Sequence, residues 1–101
     1  MKFTLRQLEV FVAVAQQESV SRAAAGLSMS QSATSTALGE LERQFDCKLF
    51  DRSGKRLTLN ALGRQLLPQA VALLDRGSEI ENMLNGKSAF GSLDLGATLT
   101  L

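Results

Sequence analysis

Residues 30–36, reading SQSATST, carry a dense set of short hydrogen-bonding side chains: Ser30, Gln31, Ser32, Thr34, Ser35 and Thr36. A hydroxyl both donates and accepts, and a glutamine amide does both in a fixed plane. Ser and Thr are mediocre helix formers, and Lys or Glu would serve solubility better. The chemistry this cluster suits is close hydrogen bonding to a polar surface. A second cluster is cationic: Lys48, Arg52, Lys55 and Arg56 crowd into KLFDRSGKR, opposed only by Asp51. Such cations suit an anionic partner. On composition alone, both clusters also read as solvated faces.

Other chemistries find little support. The chain of 101 residues has one Cys and no His, which excludes a disulfide framework and a Cys/His zinc site within one chain. No nucleophile elbow, paired carboxylates or phosphate-binding glycine loop occurs, and Gly54 and Gly63 stand alone. Neither an enzyme nor a metal site is expected. Net charge is only +1, so the distribution of charge carries more information than its sum. No apolar run is long enough to span a membrane, and Arg6 and Glu9 interrupt any leader-like core. A soluble, cytoplasmic protein without membrane contact is the expectation.

The elements that must position these clusters follow from periodicity and caps. Thr4 caps a first helix over Leu5 to Gln17, with Leu5, Leu8, Val12 and Ala15 at helical spacing and Phe11 filling out the face. Ser19 or Ser21 caps a short second helix that ends near Leu27. After the SMS turn, Ser30 caps a third helix whose apolar positions are Ala33, Ala37, Leu38, Leu41 and Phe45. Residues 47–59 alternate partially around Ser53-Gly54 and read as a two-stranded hairpin, with Leu49, Phe50, Leu57 and Leu59 as anchors. Asn60 caps a long helix to about Asn85, with Gly86 at the C′ position, and Pro68 is expected to bend it. Leu62, Leu66, Leu73, Ile80 and Leu84 lie on one apolar stripe, and Leu67, Val71 and Leu74 on another. Two stripes on one helix predict a partner chain. Ser92 to Leu101 alternates like a strand without a partner strand, as if a second domain began there.

Two short helices joined by a tight turn form a helix-turn-helix, with Ala23, Ala24 and Ala25 allowing close packing. Its second helix presents the hydroxyl cluster at its N-terminal turn, where a recognition helix meets base edges. Gln31 can pair bidentately with adenine, and Ser and Thr can take base or phosphate. Arg52 is the candidate for minor-groove insertion, and Lys55 and Arg56 for phosphates. Ser21, Arg22, Ser30 and Thr34 join the expected backbone contacts.

The stretch from LRQLEVFVAVA through SVSRAA, SQSA, Leu41-Glu42 and LFDR to LTLNALGRQLLPQA resembles the N-terminal domain of LysR-type transcriptional regulators. The resemblance implies a mainly α fold: a winged helix-turn-helix with a small two-stranded wing and a long C-terminal dimerisation helix. It implies a DNA-binding domain over 1–59, a linker helix over 60–86, and the hinge and first strand of an effector-binding domain over 87–101. It further implies base reading by Gln31, Ser32, Ser35 and Thr36 and a wing contact by Arg52. The partners it implies are double-stranded DNA with an imperfect palindrome and a second copy held through antiparallel linker helices. In the full-length protein it implies a tetramer, a small-molecule effector on the missing domain, and RNA polymerase as a further partner; this fragment itself needs no cofactor. Four positions depart from the family pattern. Thr36 stands where relatives often carry Arg, Asp46 where Gly usually ends the helix, Cys47 where an aliphatic is usual, and Asn60 where Thr usually caps. Cys47 reads as a small buried hydrophobe. The competing reading is a helical dimerisation adaptor whose Ser/Thr face is merely solvated.

Overall fold

A computed structural model of the chain describes residues 1–86. The expected strand from Ser92 to Leu101 lies outside these residues. The element order is α1 (Leu5–Gln17), α2 (Val20–Leu27), α3 (Gln31–Gln44), β1 (Phe50–Ser53), β2 (Arg56–Leu59) and α4 (Ala61–Leu84). The chain divides into two units, Met1–Val71 and Ala72–Leu101. In the second, the described residues are the end of α4 and its close, where Gly86 takes φ +70.

Each helix of the first unit begins where a side chain can satisfy free amides. Thr4 and Gln7 form a reciprocal capping box: Gln7 N–H donates to Thr4 Oγ1 at 3.0 Å, and Thr4 N–H donates to Gln7 Oε1 at 3.0 Å. The box explains a buried glutamine that apolar periodicity overlooks. Ser19 caps α2, its Oγ accepting from Arg22 N–H at 3.2 Å. Ser30 caps α3 in the same way, accepting from Ala33 N–H at 3.0 Å. The C-terminal ends bend away through left-handed residues: Glu18 (φ 56), Ser28 (φ 56) and Asp46 (φ 50). Asp46 thus adopts the conformation that a glycine takes without a Cβ penalty.

The core is Leu8, Val10, Phe11 and Val14 of α1, Ala23 and Ala24 of α2, Leu38 and Leu41 of α3, with Leu49, Leu57 and Ala70. The buried face of α1 is therefore rotated from the expected one. Leu5 is exposed, Val12 and Ala15 are half-buried, and Val10 and Val14 point inward instead. A similar correction applies to α3, where Ala33 and Phe45 are exposed and Thr34 is buried beside Leu38 and Leu41. Phe45 packs its ring near Phe3 at a centroid distance of 6.4 Å. Ala25 is also exposed, so only two of the three alanines serve the helix-turn-helix contact.

The hairpin has the register Phe50↔Leu59, Asp51↔Thr58, Arg52↔Leu57 and Ser53↔Arg56. Its two-residue loop is Gly54-Lys55, one residue later than expected. Gly54 takes φ 62, the glycine-first arrangement of a type II′ hairpin turn. Phe50 fixes the strand to the core by packing its ring 5.6 Å from that of Phe11.

The base of the hairpin is tied to α4 by Asn60. Its Oδ1 accepts from Gly63 N–H at 2.8 Å, its Nδ2 donates to the Lys48 carbonyl at 2.8 Å, and its backbone N–H donates to the Leu49 carbonyl at 3.0 Å. Gly63 is required by this closeness. A Cβ built there would lie 2.2 Å from Leu49 O and 2.8 Å from Leu59 Cδ2. Gly39 is different, for a Cβ there would meet only the Arg43 side chain, at 3.2 Å. Among the described residues, no neighbouring helix demands that glycine.

Candidate nucleic-acid interface

The N-terminal turns of α2 and α3 and the tip of the hairpin enclose one open cleft of about 270 Å³. Ser19, Val20 and Ser21 line it from α2, Gln31 and Ser35 from α3, and Arg52, Lys55 and Leu57 from the hairpin. The fold brings together residues up to 38 positions apart in sequence by closing the hairpin back over the α1–α2 corner, where Leu57 N–H donates to the Glu18 carbonyl at 3.1 Å. Among the lining residues both charges are positive and none is acidic. The N-terminal ends of α2 and α3 add the positive end of each helix dipole. The cleft is built to accept an anion together with hydrogen-bonding edges.

Helical rotation of about 100° per residue divides the α3 cluster. Thr34, Leu38 and Leu41 share the inner face. Gln31 and Ser35 lie together on the flank facing the hairpin, while Ser32 and Thr36 are exposed on the outward side. All four expected base-reading residues are thus solvent-accessible, in two pairs.

The expected backbone contacts are placed less uniformly. Thr34 corrects the sequence reading. It is 0% exposed, and its Oγ1 donates to the Ser30 carbonyl at 2.9 Å, so it packs inside and meets no ligand. Ser30 is exposed with its Oγ engaged as the cap. Ser21 lines the cleft, its Oγ 3.1 Å from that of Ser19. Arg22 is exposed outside the cleft lining. Arg52 and Leu57 oppose each other across the hairpin, and both face the cleft, as Lys55 does from the turn. Arg56 is held by Glu18, whose Oε1 accepts from its Nε at 2.9 Å and also from its Nη2.

Sequence reasoning missed Val20 and Leu57 as cleft walls, and it saw Ser19 only as a cap. It also missed Glu42, whose Oε2 accepts from Leu49 N–H at 2.8 Å and ties α3 to the start of β1. Cys47 is a free, half-buried thiol. Burial raises its pKa above the ordinary thiol value, and the negative charges of Glu42 and Asp46 push it further the same way. No cluster of metal-ligating side chains occurs among the described residues, and none of their helices is long and apolar enough to cross a membrane.

On α4, Leu62, Val71, Leu73, Ile80 and Leu84 are exposed, and Leu66, Leu67 and Leu74 are half-buried. These are the side chains expected at a partner helix.

Three packed helices, a two-stranded wing and a long following helix define a winged helix-turn-helix protein. The model of the lysR family, bacterial regulatory helix-turn-helix proteins, matches residues 5–64. The chain belongs to this LysR family. The HTH-type transcriptional regulator YeiE of Escherichia coli (strain K12) is 52% identical over 83 residues, covering 82% of this chain and 28% of that protein. Among solved structures, the oxidized form of Corynebacterium glutamicum OxyR superposes with a TM-score of 0.81 at 34% identity, over 85% of this chain and 26% of that one. The DNA-binding domain of BenM, in a complex with benA site 1 DNA, gives a TM-score of 0.76 at 26% identity, over 82% of this chain and 96% of that one. The chain therefore spans about 28% of the length of that curated relative.

Proposed function

We propose that this chain is the DNA-binding part of a LysR-family transcription regulator and grips double-stranded DNA as a homodimer. The observation that carries the reading is the shared cleft, which sets Gln31 and Ser35 of α3 beside Ser21 of α2 and the cations Arg52 and Lys55 of the wing. The N-terminal turn of α3 enters the major groove. Gln31 offers a coplanar donor and acceptor to adenine, and Ser32, Ser35 and Thr36 offer short hydroxyls that let the helix sit deep. Ser21, Arg22 and Ser30 face phosphates. Arg52 reaches the adjacent minor groove or its rim, and Lys55 sits over the backbone.

Two copies pair through the exposed apolar side chains of α4, with Val71, Leu73, Ile80 and Leu84 in the seam. Pairing presents two α3 helices to an imperfect palindrome, because protein two-fold symmetry is matched by half-site symmetry. In this reading residues 1–59 bind DNA, 60–86 link and dimerise, and 87–101 open a further domain. That domain takes a small-molecule effector and supports tetramer assembly in the complete regulator, which works in the bacterial cytoplasm.

Selection of bound duplexes from a random pool tests the proposal. Enrichment of a two-fold symmetric motif, with affinity falling steeply between about 50 and 200 mM salt, is the expected result. A folded, paired protein that enriches no duplex would instead be a helical dimerisation adaptor.

A further inference from the structure

The ion pair beside the cleft joins groups 38 residues apart, and it is not isolated. Glu18 occupies the left-handed C-cap of α1, at φ 56, and grips β2 twice. Its carboxylate accepts from the Arg56 guanidinium, and its main-chain carbonyl accepts from Leu57 N–H at 3.1 Å. The residues that follow Glu18 are Ser19, Val20 and Ser21, one wall of the cleft, while Leu57, beside Arg56, belongs to the opposite wall with Arg52 and Lys55. Glu42 secures the residue just ahead of β1, through Leu49 N–H at 2.8 Å. One carboxylate therefore holds β2, and another holds the chain where it enters β1, against the helices.

We propose that Glu18 is a positioning residue of the interface, setting the distance of the wing from the N-terminal turns of α2 and α3 by holding Arg56. The inference rests on the DNA reading and changes one part of it. Arg56 serves as the wing's anchor, not as a phosphate contact, and Arg52 and Lys55 are the cations presented to the nucleic acid. The pair is partly exposed, with side chains 68% and 38% accessible, so its energetic weight is modest and its geometric role is the larger one.

The two roles for Arg56 give opposite results. If Arg56 is an anchor, Glu18→Gln and Arg56→Ala each weaken binding about two- to fivefold, with the salt dependence of binding unchanged. Lys55→Ala, by contrast, flattens that dependence by about 0.9 per protomer, as loss of a phosphate contact requires. Exchanging the charges, Glu18→Arg together with Arg56→Glu, restores much of the affinity lost in either single reversal. Amide hydrogen exchange in the free protein supplies a readout independent of DNA. Glu18→Gln speeds exchange at Leu57 while leaving the amides of the α1 core protected. Flattening of the salt dependence by Arg56→Ala, tighter binding by Glu18→Gln, no rescue by the exchanged pair, or unaltered Leu57 exchange would each overturn the proposal. Failure of the wild-type protein to bind any duplex would instead refute the DNA reading, while the exchange measurement still tests the grip of Glu18 on the wing.

Discussion

Gly63→Ala concentrates the structural account into one methyl group. The added Cβ would stand 2.2 Å from the Leu49 carbonyl oxygen, 2.8 Å from Leu59 Cδ2 and 3.3 Å from the Leu49 carbonyl carbon. Ordinary contact requires more than 3 Å, so the hairpin base and the first turn of α4 must separate by about 1 Å, and the closest atom is backbone, which yields less readily than a side-chain tip. The same carbonyl accepts from Asn60 N–H at 3.0 Å, and that bond is strained as the two segments part. Overpacking of this kind costs about 1–3 kcal/mol. A weakened hydrogen bond adds about 1 kcal/mol, and alanine's helix propensity returns at most about 1 kcal/mol. The net expectation is a loss of about 1–3 kcal/mol. Urea denaturation at fixed protein concentration reads it as a fall in midpoint of about 1–3 M, given a slope near 1 kcal/mol/M for so small a unit. Gly39→Ala is the internal control. Only the movable Arg43 tip is near, so that variant is expected to be neutral or more stable by up to about 1 kcal/mol. Equal or greater stability for Gly63→Ala would refute the packing argument.

Other expectations follow from the cleft, the long helix and the thiol. Gln31→Ala is expected to relax base preference at one position of each half-site, at about 1–3 kcal/mol, read by competition among single-base variants of a selected duplex; equal loss on every sequence would leave Gln31 a positioning contact only. Leu73→Glu places a charge among the apolar side chains of α4 and is expected to shift sedimentation to the monomer; an intact dimer would move the seam elsewhere. Cys47 is expected to alkylate slowly at neutral pH, with a rate that keeps rising above the pH where a free thiol levels off, since burial, Glu42 and Asp46 all favour the protonated form. Free-cysteine reactivity near pH 7 would contradict that placement.

Local signals carried most of the element boundaries. Thr4, Ser19 and Ser30 are caps whose action reaches only three residues along the chain, so their types suffice to mark a helix start. The hairpin was legible for the same reason, from Gly54 and its flanking apolar residues. Rotation of each helix about its axis was less legible. Val10 and Val14, not Leu5 and Val12, face the core, because the buried stripe is chosen by the neighbours it meets. Thr34 shows the functional consequence. Its type matches Thr36, but its place beside Leu38 and Leu41 turns it inward, where its hydroxyl is satisfied by the Ser30 carbonyl. The pairing of Glu18 with Arg56 and the approach of Gly63 to Leu49 leave no local mark, since each depends on segments that meet only after folding.

Amide chemical-shift mapping of the isotope-labelled protein, titrated with a selected duplex, tests the central claim most directly. The account predicts shifts concentrated at Ser19, Ser21, Gln31, Ser32, Ser35, Arg52 and Lys55, with the amides of Val10 and Val14 unmoved. Shifts confined to α4, or none at any duplex concentration, would contradict it.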